Sequence, residues 1–180
     1  MLTLMEIRSS DELTFRQIYN DVFPLLMKVA YHVTYNQDVA EDICQDAFIR
    51  FYDKDMVFPS MDDAKFWLIR VVKNLSINHV KRKVRETASL EKVMRGPQVN
   101  PFRDGASELL QKESAAAVRK AVSELPEIYK TVIVLREYAD LDYKDIAKVM
   151  KISESNVKVR VHRARKELEA KLGREEINVP

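Results

Sequence analysis

Residues 142–168 read DYKDIAKVMKISESNVKVRVHRARKEL, and the caps and spacing of this stretch predict two short helices. Asp142 and Ser153 each carry a short side-chain oxygen that can accept from a free N–H in a helix's first turn. Behind Asp142, the residues Ile146, Ala147 and Met150 recur at helical spacing. Behind Ser153, the stripe is Val157, Val161, Ala164 and Leu168, continued by Leu172. Lys151 stands in the turn, where a glycine is common. Opposite the second stripe lie Ser155, Val159, His162, Arg163 and Lys166, with Lys158 and Arg165 at its edge. Two short helices joined by a tight turn, the second strongly basic, form the pattern of a helix-turn-helix. Its long cations can reach phosphates, and Arg163 or Lys158 can also reach guanine acceptors. Val159 is an apolar residue among charges, placed to pack on a thymine methyl if this helix enters a major groove. His162 has no carboxylate or nucleophile partner in the pattern, so it reads as a polar contact rather than a catalytic base.

The rest of the chain is compatible with that module. Its 180 residues are 46% hydrophobic and 32% charged, ordinary values for a globular protein of one medium or two small domains. Apolar runs such as Val132–Leu135 fall far short of a membrane span. The N-terminal MLTLMEIRSS lacks the features of a secretory signal, so a cytosolic location and no membrane insertion are expected. Cys44, the single cysteine, has no Cys or His neighbour at metal-ligand spacing and lies on an apolar helix face, so it reads as a buried thiol. No cofactor or metal is expected. The net charge of +2 conceals an asymmetry: from Met1 to Leu68 acids outnumber bases twelve to six, whereas Tyr143 to Arg174 carries ten bases against four acids. A second basic segment, Lys73, Lys81, Arg82, Lys83 and Arg85, lies between them. That distribution suggests one basic and one polyanionic partner.

Strand-type alternation is weak throughout and 3.6-residue spacing recurs, so the fold class is all-α, with two small helical domains. The stretch EKVMRGPQVNPFRDGASELL, with Gly96, Pro97, Pro101 and Gly105, marks a linker over residues 87–112. It divides a domain at 1–86 from one at 113–180. Helices are predicted at about 12–33, 38–52, 61–85, 108–123 and 127–138, followed by the two around the turn. In the second, Ala40, Ile43, Cys44, Ala47 and Phe51 form a core stripe. The opposite face holds Asp42, Gln45 and Asp46, with Ile49 at its centre. An apolar anchor ringed by carboxylates and a glutamine suits docking on a basic partner, the charges steering and the isoleucine packing. In the third, Ala64, Trp67, Leu68, Val71 and Leu75 are the predicted core, and the adjoining face carries Arg70, Asn74, Ile77 and Lys81, with Lys73 beside it. Asp62, Asp63 and the later bases suit the helix dipole. Asn74 needs another reason, because asparagine is a poor mid-helix residue whose amide can both donate to and accept from a base edge. With Phe58 in the preceding loop as a stacking surface, these residues outline a pocket for an unstacked base.

These segments together resemble the extracytoplasmic-function (ECF) class of the sigma-70 superfamily, the initiation factors of bacterial RNA polymerase. AEDICQDAFIRFY resembles region 2.2, FPSMDDAKFWLIRVVKNLSINHVKRK regions 2.3 and 2.4, and LPEIYKTVIVLREYADLDYKDIAKVMKISESNVKVRVHRARKEL region 4. The resemblance implies a non-catalytic factor that binds core polymerase, recognises two promoter elements and traps unstacked bases. It implies that Asp42, Gln45, Asp46 and Ile49 dock on the clamp helices of the β′ subunit, and that the second domain meets the β flap. It implies that Phe58, Arg70, Lys73, Asn74, Lys81 and Arg82 lie at the minus-ten element during melting. Ser155, Asn156, Lys158, Val159, His162, Arg163 and Lys166 would lie at the minus-thirty-five element, with Ser155 and Asn156 where the family frequently has Gly-Thr. An anti-sigma partner is a further expectation. The alternative is a stand-alone helix-turn-helix regulator whose first half dimerises or senses an effector. A nucleic-acid enzyme finds little support, as no Gly-rich phosphate loop, metal-spaced His/Cys cluster or convincing carboxylate pair is present.

Overall fold

The structure is a computed structural model and describes residues 6–93 and 109–173. Among these residues, a short ribbon pairs β1 (Ile7–Arg8) antiparallel with β2 (Val57–Phe58). The seven helices are α1 (Glu12–Thr34), α2 (Gln37–Asp53), α3 (Met61–Val93), α4 (Leu109–Ser123), α5 (Glu127–Ile133), α6 (Tyr143–Met150) and α7 (Glu154–Leu172). A π-helical turn, Val134–Tyr138, extends α5.

Local chemistry fixes the helix starts. Asp11 accepts from the Thr14 N–H at 2.9 Å, and Asn36 from Val39 at 2.9 Å. Ser60 accepts from the Asp63 N–H and donates back to its carboxylate, at 3.2 and 2.6 Å. The two caps predicted from the helix-turn-helix stretch are formed: Asp142 accepts from Asp145 at 2.7 Å and Ser153 from Asn156 at 3.2 Å. Each satisfies an N–H that the first helical turn leaves without an intrahelical partner.

The N-terminal helices pack as a three-helix group. α1 contributes Ile18, Val22, Leu26, Val29 and Val33, while α2 buries Ala40, Ile43, Cys44, Ala47 and Phe51 as its spacing predicts, together with Phe48. Burial pushes the Cys44 thiol up to about 12, which keeps it protonated and inert. In α3 the predicted Ala64 and Leu68 are buried, but Trp67, Val71 and Leu75 are only partly so, and Phe66, Ile69, Val72 and Ser76 are inside instead. The stripe is wider than a simple amphipathic reading allows because α3 packs on α1 and α2 and also on α6. Ser76 meets the cost of burial by donating to the Val72 carbonyl at 2.8 Å.

Phe58 requires a correction. It is a β2 residue, 6% exposed and packed with Phe51 and Trp67, so it is core and offers no stacking surface in this conformation. The ribbon places it there. Ser9 clamps β1 to the loop, its N–H donating to the Met56 carbonyl at 2.8 Å while its hydroxyl accepts from the Met56 N–H at 2.7 Å.

In the C-terminal group, Val132–Leu135 are all buried. Beneath α7's Val157, Val161 and Ala164 sit Ile146 and Val149; Ala147 and Met150, predicted as core, are half-buried. The predicted linker is shorter than expected at both ends, since α3 continues to Val93 and α4 begins at Leu109. Gly96, Pro97, Pro101 and Gly105 lie outside the described residues. No described helix is long and apolar enough to cross a membrane.

Candidate functional site

Three surfaces carry the residues singled out in the sequence. On α2, burial of Ile43, Cys44 and Ala47 turns Asp42, Gln45, Asp46 and Ile49 outward, and all four are exposed. Ile49 is 58% exposed although isoleucine is among the most buried residue types. Gln45 donates to Glu41 at 3.3 Å, which orients its amide along the acidic face. Beside this face, a groove of 510 Å³ runs between α2 and the second half of α3. Its α2 side carries Asp42, Asp46 and Arg50 and its α3 side His79, Arg82 and Arg85, with Val39, Ile43 and Leu75 among the apolar lining. Desolvation, and then the cations Arg82 and Lys83, hold the His79 imidazole below its ordinary value. The groove therefore has mixed charge on its α2 side and cations on its α3 side, and it joins the candidate docking face to Arg82 of the candidate melting surface.

On α7, the three buried residues lock one face onto α5 and α6 and leave Ser155, Asn156, Lys158, Val159, His162, Arg163 and Lys166 exposed. Val159 is 47% exposed in their midst. Lys158 bonds Glu154 at 2.8 Å, which raises its pKa. Asn156 accepts from Arg160 at 2.9 Å. Arg165, at the edge of the predicted face, is held by Glu137 at 2.6 Å, where it braces α7 on the π-helical turn. Ala139 donates to the Val134 carbonyl, five residues back, which closes the π-helical turn that carries Glu137.

On α3, the residues read as one nucleic-acid face are divided. Asn74 and Arg82 are exposed, and Arg82 pairs loosely with Glu86 at 3.7 Å. Arg70 instead donates from Nε to the Val149 carbonyl at 3.0 Å and from Nη2 to the Lys148 carbonyl at 2.9 Å. Lys81 pairs with Glu127 at 2.5 Å. Lys73 is half-buried, and desolvation lowers its pKa against the opposing pull of Glu127. This strip of α3 thus faces the C-terminal group. Glu127 and the end of α6 were missed as partners in the sequence, because a contact across 78 residues leaves no local pattern. An aromatic cluster in AYHVTY, the end of α1, is the one signal that was present: His32 stacks on Tyr138 at 3.6 Å and 19°. No group of His, Cys, Asp and Glu able to hold a metal ion occurs among the described residues.

Comparison with known proteins agrees with this division. Residues 18–86 match the family model Sigma-70 region 2, and residues 115–168 match Sigma-70, region 4. The chain is 28% identical to the ECF RNA polymerase sigma factor SigW of Bacillus subtilis over 178 residues, covering 94% of each. It is 30% identical to the ECF RNA polymerase sigma factor SigM of the same organism, over 88% of this chain and 94% of the relative. Among solved structures, the sigma factor RpoE in complex with the anti-sigma factor NepR, from Bartonella quintana, superimposes with a TM-score of 0.63 at 24% identity, over 89% of this chain and 98% of that one. CnrH in complex with the cytosolic domain of CnrY gives 0.62 at 21% identity, over 90% and 89%. These two show a shared fold. With region 2 and region 4 both present, in order, and relatives matched over nearly their whole length, the chain belongs to the ECF RNA polymerase sigma factor family of transcription initiation factors.

Proposed function

We propose that this factor docks on core RNA polymerase through the α2 face, reads a minus-thirty-five element through the α7 face, and captures an unstacked base of the minus-ten element at Asn74. The single observation that carries the reading is the α2 face, where an exposed isoleucine is set among Asp42, Gln45 and Asp46 on a rigid helix. Carboxylates steer a basic surface and the isoleucine supplies the apolar contact, a role suited to the clamp helices of β′. The C-terminal group would meet the β flap. The factor acts in the cytoplasm and performs no chemistry of its own; it positions and melts DNA for the polymerase.

On α7, the exposed cations supply backbone contacts and Val159 an apolar contact to one thymine methyl. On α3, Asn74 is free to bond a base edge, with Arg70, Lys73, Lys81 and Arg82 as the surrounding cations. Phe58 contributes from the core by supporting Trp67 and the loop rather than by stacking. An anti-sigma partner is supported by the structural neighbour RpoE, a sigma factor in complex with the anti-sigma factor NepR. A stand-alone regulator would need α1–α3 to dimerise or sense an effector, and the region 2 match disfavours that reading.

The deciding experiment is in-vitro transcription from a genomic-fragment library with core polymerase, with and without the factor. Factor-dependent initiation is expected at a subset of fragments, and its absence from all of them would refute the proposal. On an active fragment, Asn74→Ala should impair promoter opening and spare core binding; equal opening would remove the base-capture assignment.

A further inference from the structure

The short ribbon between β1 and β2 decides which side chain the loop before α3 turns outward. Neighbouring strand residues point to opposite faces, and the ladder pairs Ile7 with Phe58 and Arg8 with Val57. The inner face is therefore Ile7 and Phe58, with Phe58 packed on Phe51 and Trp67. The outer face is Arg8 and Val57, both exposed, Val57 by 45%. A slip of one residue would exchange the faces, turning the phenylalanine out and the valine in. Two paired residues per strand are too few to hold that register by themselves. Ser9 holds it. Serine is mostly a surface residue, yet Ser9 is fully buried and engages both polar groups of the Met56 backbone, donating its N–H to the carbonyl and accepting the Met56 N–H on its hydroxyl. Beside it Asp55 adopts the left-handed conformation, φ 45°, and its carboxylate receives the Ser10 hydroxyl and, at 3.2 Å, the Arg8 guanidinium. Each residue from Asp55 to Phe58 is thus tied to a partner in Ile7–Ser10, a segment outside the two helices that frame the loop.

Phe58 joins the ribbon to α3. It packs on Trp67, and Trp67 stands two turns before Asn74 on the same side of the helix. We propose that the outer face of the ribbon is a further contact for the melted strand. Val57 packs on an unstacked base, Arg8 balances the Asp55 carboxylate that would otherwise repel the adjoining phosphate, and Ser9 is the positioning residue that keeps Val57 outward. The proposal rests on α3 and the loop before it being the melted-strand surface, and it names the side chain by which the loop touches that strand. Valine offers no hydrogen bond, so it supplies apolar contact and leaves the reading of base edges to the Asn74 amide.

The test uses holoenzyme, the full chain on unaltered core polymerase, and a promoter fragment that is duplex upstream and carries the minus-ten non-template strand as a single-stranded tail. Affinity is measured by anisotropy for the intact tail and for tails made abasic at each position in turn. Val57→Ala should weaken binding of the intact tail about threefold, the worth of covering the 45% of two carbons that lies exposed. On the tail abasic at one position the same substitution should cost nothing, which identifies the base that Val57 covers. Val57→Phe should tighten binding about fivefold or more through that base, the lower end of an aromatic stack. Ser9→Ala leaves the Met56 N–H without its acceptor. It should reproduce the Val57→Ala loss at the same position and add nothing to it in the double variant, whereas a purely structural role would cost affinity equally on every tail. Equal losses on every tail would overturn the proposal, as would no loss from Val57→Ala together with no gain from Val57→Phe. Asn74→Ala is measured beside them: a loss there with no effect at Val57 refutes the ribbon contact and leaves base capture standing, and the reverse result refutes base capture by Asn74 alone.

Discussion

Replacing Ile49 by alanine tests the docking face at its apolar centre. The substitution removes three carbons, each worth about 0.8 kcal/mol on full burial. Ile49 is 58% exposed in the free chain, so this is the fraction a partner can still cover, and about 1.4 kcal/mol of core affinity should be lost, roughly tenfold in Kd. The fold should not register the change. Surface substitutions away from buried features usually stay within about 0.5 kcal/mol, and the core side of α2 is carried by Ala40, Ile43, Cys44, Ala47 and Phe51. A labelled factor titrated with core polymerase, followed by anisotropy at fixed ionic strength, measures the loss; a melting curve on the same sample checks the fold. Ile49→Lys should lose more, because it places a cation on a face built to meet a basic partner. Asp46→Asn should act mainly through the association rate and flatten its salt dependence. An Ile49→Ala affinity within twofold of the unaltered chain, with melting unchanged, would refute the reasoning.

Three further outcomes are expected. Val159→Ser should weaken promoter binding at one thymine-bearing position of the minus-thirty-five element, by about 1 kcal/mol; a uniform or absent effect across a mutated-promoter set would return Val159 to ordinary surface. Lys151→Gly relieves a left-handed residue and should raise stability by about 0.5–1 kcal/mol, a rise in Tm of about 1–4 °C by calorimetry; a fall in Tm would show that Lys151 makes a stabilising contact that outweighs its strain. Acidification should loosen the packing of His32 on Tyr138: desolvation, then Arg119 and Lys28, hold His32 below its ordinary 6.5, so that packing has its full strength above 6.5 and loses it as the pH falls below that value. His32 faces Lys28 and Tyr31 of α1, Tyr35 at its C-terminal cap, Arg119 of α4 and the Tyr138 ring, with no carboxylate among them. His32→Phe keeps a ring on Tyr138 without a titrating nitrogen, so interdomain distances that respond equally to pH in both chains would discard His32 as the cause.

What was legible in the sequence followed the range over which each signal acts. Asp142 and Ser153 were readable as caps because a cap involves residues three apart, and the α2 face was readable because a 17-residue helix completes several turns. Ala147 and Met150 were over-assigned to the core at Val149's expense because an eight-residue helix leaves its phase loosely determined. Phe58 was taken for an exposed loop residue because its strand is two residues long, too short for alternation to show. Arg70 makes the contact of longest range, one that no local pattern announces. Its place on a basic helix suggested a partner outside the chain, yet its acceptors are backbone carbonyls 78 and 79 residues away, and backbone groups leave no signature in residue identity.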